Sequence, residues 1–177
     1  HNPFSLSEKK IFVTGASSGI GRAVAVECSK MGARVIISGR NSDRLNETMT
    51  MMEGNRHQVI VSDLQTDEGI KTVVENLQDI DGIVHCAGFV KPAPIAFASQ
   101  STVDEIMGIN FNSPLQISRQ LLKLKKIRHE GSIVFISSIS GTLCSYPGNS
   151  VYSASKGAIN GLIKGMALDL APYKIRV

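Results

Sequence analysis

The 177-residue chain has no tryptophan, three tyrosines and six phenylalanines, so only 5% of it is aromatic. That supply is too thin to stack successive bases, and the basic residues are mostly scattered, which argues against nucleic acid as a partner. Cysteine is scarce too. Cys28, Cys86 and Cys144 are odd in number and form no CxxC pair, so neither a disulfide framework nor a zinc knuckle is expected, and no metal site. Three small thiols suit a reducing, cytoplasmic setting. No apolar run approaches the roughly 18 residues of a membrane helix, and no stretch has the charged start and apolar middle of a secretory signal. No membrane partner is expected. Charge is sparse at 19%, against about 25% in average globular chains. Its balance, 19 basic against 15 acidic residues, leaves +4, a mild attraction for an anionic ligand. The one basic cluster, Lys123, Lys125, Lys126, Arg128 and His129, reads as the solvated C-terminal end of a helix; it would also suit an acidic acyl carrier.

What is present is core-building: 42% of the residues are hydrophobic, and the length suits one domain. Short β-branched runs alternate with longer helical patterns. Strands are expected at residues 11–13, 34–38, 58–61, 82–86 and 132–137. Helices are expected at 20–31, 66–77, 103–126 and 151–170, with Asn41-Ser42 able to cap another. The strands are continuous apolar runs, the pattern of strands buried on both faces. The expected fold is therefore α/β: a doubly wound parallel sheet in three layers, α/β/α, as a single domain with right-handed crossovers. That domain is read as residues 9–177, and residues 1–8, led by His1-Asn2, as an N-terminal extension or tag remnant. Residues 89–101, rich in Pro and Ala, form a loop. Pro114 falls inside a helical pattern and predicts a kink close to Asn110. Lys174-Ile175-Arg176-Val177 looks like the opening of another strand. The expectation is that the C-terminal part of the domain is missing.

Thr14-Gly15-Ala16-Ser17-Ser18-Gly19-Ile20-Gly21 stands directly between the first strand and the first helix. Glycines allow a tight turn and close approach to a pyrophosphate. The helix N-terminus then presents unpaired N–H groups and the positive end of its dipole. Ser17 and Ser18 add hydroxyl donors. The spacing is G-x-x-x-G-x-G rather than G-x-G-x-x-G, but its strand–loop–helix setting marks it as a phosphate cradle. Nineteen positions after Gly21 comes Arg40, at the end of the second strand. An acidic residue hereabouts would hold the ribose hydroxyls of NAD, whereas an arginine suits the 2′-phosphate of NADP. Gly39 precedes it, so no carboxylate competes. NADP(H) is the expected cofactor, with NAD(H) second.

Tyr152 and Lys156 open the last helix at i and i+4, on one face. A fixed cation favours a phenolate, so a phenol so placed can exchange a proton with an alkoxide or alcohol. Ser137-Ser138 ends the fifth strand, at the carboxyl edge where ligands sit in open α/β sheets, and a hydroxyl there can hydrogen-bond a substrate carbonyl. A kink at Asn110 can free a backbone carbonyl, and Asn110 itself can help hold a water near Lys156.

With these pieces assembled, the chain strongly resembles the short-chain dehydrogenase/reductase family in its single-domain, Rossmann-type branch. The resemblance runs from Lys10 to Val177 and rests on TGASSGIG (14–21), SDL (62–64), HCAG (85–88), GINFNSP around Asn110, ISSISG (136–141) and YSASKGA (152–158). It implies that Tyr152 is the proton donor or acceptor, that Lys156 lowers its pKa and holds the nicotinamide ribose, that Ser138 orients the substrate carbonyl and that Asn110 supports a proton relay. It places the glycine loop, Gly15, Ser17, Ser18, Gly19, Ile20 and Gly21, around the phosphates. Asp63 and Leu64 come beside the adenine, and Cys86, Ala87 and Gly88 on the ribose side. The sequence departs from the family in two places. His85-Cys86 stands where Asn-Asn or Asn-Ala is usual, and His85 reads as a packed strand-end residue. Ser138 precedes Tyr152 by fourteen positions, one more than the family pattern, with the extra residue in the loop 142–146. Ser137 and Ser140 thus remain alternatives to Ser138.

The resemblance implies an NADP(H)-dependent interconversion of a small-molecule carbonyl and alcohol, 3-oxoacyl-thioester reduction among the candidates. It also implies a homo-oligomer, tetramer or dimer, packed through the helices near Asn110 and Tyr152. Cys144 and Tyr146, in the loop before Tyr152, are placed to touch a substrate, with loop packing the alternative. The rival reading is an NADP(H)-binding regulatory protein without turnover, which would not need Asn110, Ser138, Tyr152 and Lys156 together.

Overall fold

The apolar runs become five parallel strands: β1 (Lys10–Thr14), β2 (Arg34–Gly39), β3 (Gln58–Val61), β4 (Ile80–His85) and β5 (Ile127–Phe135). They pair in the order β3-β2-β1-β4-β5. In the computed structural model, residues 2–177 are described; His1, read above with the N-terminal extension, lies outside them. Six helices connect and cover the strands: α1 (Gly19–Lys30), α2 (Ser42–Thr50), α3 (Asp67–Asn76), α4 (Gln100–Met107), α5 (Ser113–Lys123) and α6 (Ser150–Leu170). None is long and apolar enough to cross a membrane.

Side chains alternate across a strand, so a run apolar at every position feeds two cores. Ile11 and Val13 of β1 and Val35 and Ile37 of β2 pack with Ala25 of α1 and Leu45 of α2. Phe12 and Ile36, between them, point the other way, to Val73 of α3, Ile117 and Leu121 of α5 and Leu170 of α6. The result is the three-layer, doubly wound sheet expected. The direction of winding reverses beside β1, which has β2 on one side and β4 on the other. That gap between strand ends is where an open α/β sheet receives a ligand.

Several boundaries differ from expectation. The basic cluster is not all helix end. Lys123 closes α5, and Lys125, at φ 54°, turns the chain left-handed. Its N–H and that of Lys126 reach back to Leu122 O and Leu121 O, a Schellman closure. Arg128 and His129 then lie on β5, which starts five residues earlier than its apolar run. The whole cluster sits at the entry edge of β4 and β5. β5 ends at Phe135, so Ser137 and Ser138 stand in the turn beyond the strand rather than on it. The kink near Asn110 is a π-helical turn, Gly108–Asn112, between α4 and α5. Pro114 in the first turn of α5 lacks the N–H for a carbonyl four residues back. The Ser113 hydroxyl is shared between the carbonyls of Leu64 and Gly108. At the other end of the chain, Arg176 bridges to Ser132 in parallel, on the free side of β5.

Candidate active site

The carboxyl ends of β1 to β4 enclose a cleft of about 400 Å³. Gly15, Ser17, Ser18, Gly19, Ile20 and Gly21 form its floor, Arg40 and Asp63 with Leu64 one end, and Cys86, Ala87 and Gly88 the other. The sequence scatters these residues over 74 positions, and the sheet order brings them together.

The loop's glycines have separate reasons to be glycine. Gly15 has φ 66°, and a Cβ there would stand 2.7 Å from Ala87 Cα, so the loops after β1 and β4 touch through its bare backbone. Thr14 Oγ1 accepts the N–H groups of Cys86 and Ala87, both at 3.1 Å, and locks the same junction. A Cβ on Gly21 would strike the carbonyl of Gly15, so α1 can start only one glycine away from the loop. Gly19, at φ 53°, has open space where a Cβ would be, the room a ligand needs. Ser18 is the N-cap of α1, yet its side chain makes no capping bond. Ser18 and the first residues of α1, whose N–H groups have no partner within the helix, line the cleft together.

Arg40 is exposed at the cleft wall. Arg44 lines the wall as well, a residue the sequence reading missed. Asn41 Oδ1 accepts the Arg44 N–H at 2.9 Å, which begins α2 there and puts Arg44 at the third helical position. A glutamate is the usual capping partner there, and a cation is opposed by the dipole. Gln65, Phe89, Glu105 and Ile109 also line the cleft and were not anticipated; nothing in their local pattern marks them.

Asn110, Ser138, Tyr152 and Lys156 do not line the cleft; they gather beyond its Gly88 end. A Cβ on Gly88 would lie 3.4 Å from Asn110 Oδ1 and 3.8 Å from Lys156 Nζ. Lys156 is buried and donates to Ile136 O at 2.7 Å. Its Nζ is 5.8 Å from the centre of the Tyr152 ring. Burial holds its ammonium below the ordinary lysine range, with Cys86 opposing. The Asn110 amide donates to Phe89 O (2.9 Å) and Ser155 Oγ (3.0 Å) and accepts the Phe89 N–H (2.7 Å). Both its hydrogens are committed to protein. The side chain therefore braces the loop after β4 against α6, at Ser155 between Tyr152 and Lys156. Ser137 Oγ donates to Asn160 Oδ1 at 2.8 Å. Ser138 Oγ accepts the Ser140 N–H at 3.1 Å, and among the described residues nothing takes its hydroxyl proton.

His85 is a packed residue. It is 5% exposed, stacks on Phe135 at 4.8 Å and meets Ser118 Oγ at 2.9 Å. Burial drops its pKa to about 3, so the ring is neutral. Burial also pushes the Cys86 thiol up to about 11, with Cys28 adding and Lys156 opposing, so Cys86 is no thiolate at neutral pH.

The chain belongs to the short-chain dehydrogenase family, whose model matches residues 9–177. Within it, the chain is 33% identical to a 3-ketodihydrosphingosine reductase of Bos taurus, over 99% of this chain and 56% of that protein. It is 31% identical to a 3-oxoacyl-[acyl-carrier-protein] reductase of Rickettsia bellii, over 97% of this chain and 70% of that one. A short-chain dehydrogenase of Burkholderia cenocepacia, solved in complex with NADP, superposes with a TM-score of 0.91 at 27% identity, covering 97% of this chain and 72% of that one. The chain thus spans little more than half the length of the first of these relatives.

Proposed function

We propose that this protein is an NADP(H)-dependent oxidoreductase that interconverts a carbonyl and an alcohol, with Tyr152 as acid and base. One observation carries the reading: the phenol of Tyr152 and the buried ammonium of Lys156 share a helix face at the open end of a glycine-floored cleft. The residues fit a dinucleotide. Gly19 leaves room for backbone to meet phosphate, Gly15 and Gly21 let the loop pack closely enough to form the cradle, Ser17 and Ser18 offer hydroxyls, and Arg40 and Arg44 offer two guanidinium groups to a 2′-phosphate. Asp63 and Leu64 would flank the adenine. When bound, the cofactor supplies or takes up the hydride.

The chain's own residues do the rest. Ser138, with a hydroxyl proton to give, holds the carbonyl oxygen. Tyr152 delivers a proton to that oxygen as it becomes an alkoxide, or removes one in the reverse direction. Lys156, fixed by Ile136 O, keeps a cation beside the phenol and reaches the ribose side at Gly88. Asn110 and Ser155 hold the two halves of the site in register. The commitment of Ser137 to Asn160 supports Ser138 as the serine that acts. Self-association through α5 and α6 belongs to the same reading; the outer face of α6 leaves Leu168 78% exposed.

The basic cluster does not support delivery by an acyl carrier. It lies at the entry edge of β5, which runs beside β4 from Ile80 to His85, about 17 Å, before the turn that carries Ser138. The deciding experiment is Tyr152→Phe. NADPH affinity stays within about twofold, while turnover falls by at least about a thousandfold, the upper part of what a positioned acid contributes. A variant that still turned over would leave the nucleotide-binding regulatory protein as the better reading.

A further inference from the structure

Two loops flank Ser138 and Tyr152: residues 89–99 after β4 and residues 139–149 before α6. They are stitched together by the Ala93 N–H, which donates to Gly148 O at 2.9 Å. The turn after Ser138 is pressed onto α6, so that a Cβ on Gly141 would lie 2.6 Å from Gly157 N. The N–H groups of Leu143 and Cys144 both bond Ile139 O. The side chains these loops present are therefore held beside the reacting groups.

Those side chains are apolar and uncovered. Leu143 is 85% exposed, Phe97 81%, Ile95 68% and Ile139 66%, with Tyr146 and Val90 close behind. One exposed leucine is ordinary, but six large, mostly apolar side chains left exposed on two joined loops argue for a binding surface. The only charged side chain in the two segments is Lys91, which pairs with Glu105 at 3.7 Å. Two of the hydroxyls on the second loop have protein partners: Ser145 with Ser153 at 2.8 Å, Thr142 with Ser138 O at 3.3 Å. A phosphate or a carboxylate would find no cation there but Lys91, which Glu105 already faces.

We infer that the substrate is a neutral carbonyl compound with a long aliphatic chain or apolar ring, its oxygen at Ser138 and Tyr152 and its chain laid across Ile139, Leu143 and Phe97. This rests on the carbonyl-reducing reading above. The test titrates 2-alkanones of five to eleven carbons, dihydroxyacetone and a 3-oxoacyl-coenzyme A into protein carrying labelled Ile and Leu methyl groups. The same compounds are assayed with NADPH. The alkanones shift the Ile139 and Leu143 methyl signals. Affinity and kcat/KM rise by about fourfold per methylene over part of the series, as burial of each CH2 predicts. Leu143→Ser lowers the undecanone-to-pentanone ratio of kcat/KM by about tenfold.

Preference for dihydroxyacetone or the coenzyme A thioester overturns the inference. So does a flat response to chain length, or a Leu143→Ser variant that splits an oligomer and leaves the chain-length ratio unchanged, because the patch is then a subunit interface. Methyl shifts with no turnover of any compound uphold the apolar site and sink the reductase reading instead. Turnover with no chain-length preference does the reverse.

Discussion

His85 shows at the scale of one residue how burial turns into a pH dependence. Its pKa falls from 6.5 to about 3 in the folded protein because the charged ring has no water. Between those values the unfolded chain binds the proton and the folded chain does not. Stability is therefore full above pH 6.5 and falls as the pH is lowered toward 3, by at most about 1.4 kcal/mol per unit from this group. Urea melts at pH 7, 5.5 and 4.5 measure the slope, and His85→Asn flattens it. At the cleft wall stand the two guanidinium groups that the NADP(H) proposal assigns to the 2′-phosphate. Arg40→Ala and Arg44→Ala each weaken NADPH binding by about ten- to a hundredfold, the range of a charged hydrogen bond, and leave NADH binding unchanged. Isothermal titration with both cofactors decides it; equal losses for both mean that these arginines support the fold and not the 2′-phosphate. Arg40 was legible from its distance to the glycine loop. Arg44 was not singled out, because a cation against a helix dipole is not a motif.

The elements of the site are two turns that break regular structure. In the loop from β1 to α1, Gly21→Ala drives a methyl into the Gly15 carbonyl, so the loop moves and stability falls by about 1–3 kcal/mol, the usual cost of overpacking. Gly19→Ala meets no protein atom and pays mainly for its left-handed φ, about 1–2 kcal/mol. Both lose nucleotide affinity, and chemical denaturation separates them: a Gly21→Ala protein as stable as the parent contradicts the close approach. The second turn is the π-turn at Gly108–Asn112. Proline chemistry announced a break near Asn110 because a missing N–H is a local fact. That the break puts the Asn110 amide between Phe89 and Ser155 was not readable, since those partners lie 21 residues before and 45 after it.

On the scale of the whole molecule, the cleft is built from the ends of four strands, so a nucleotide lodged in it holds together segments far apart in sequence. NADPH at a hundred times its Kd stabilises the fold by about 2.7 kcal/mol. For a chain of this size that raises Tm by about 5–10 °C, and Tyr152→Phe shows the same rise in scanning calorimetry; no shift means that the cleft binds no dinucleotide. The sequence by itself determined the parallel sheet, because runs apolar at every position can be buried only between two layers, and it determined the glycine loop before α1 and the Tyr152–Lys156 face, because both are set by spacing within one loop or one helical turn. The tertiary structure alone decided that strand order places Gly15 against Ala87, that Ser137 is tied to Asn160 while Ser138 keeps its proton, and that Arg44 joins Arg40. Each of those is a contact between segments distant along the chain. Periodicity reports only on neighbours, while the pairing order of the sheet assigns the long-range partners.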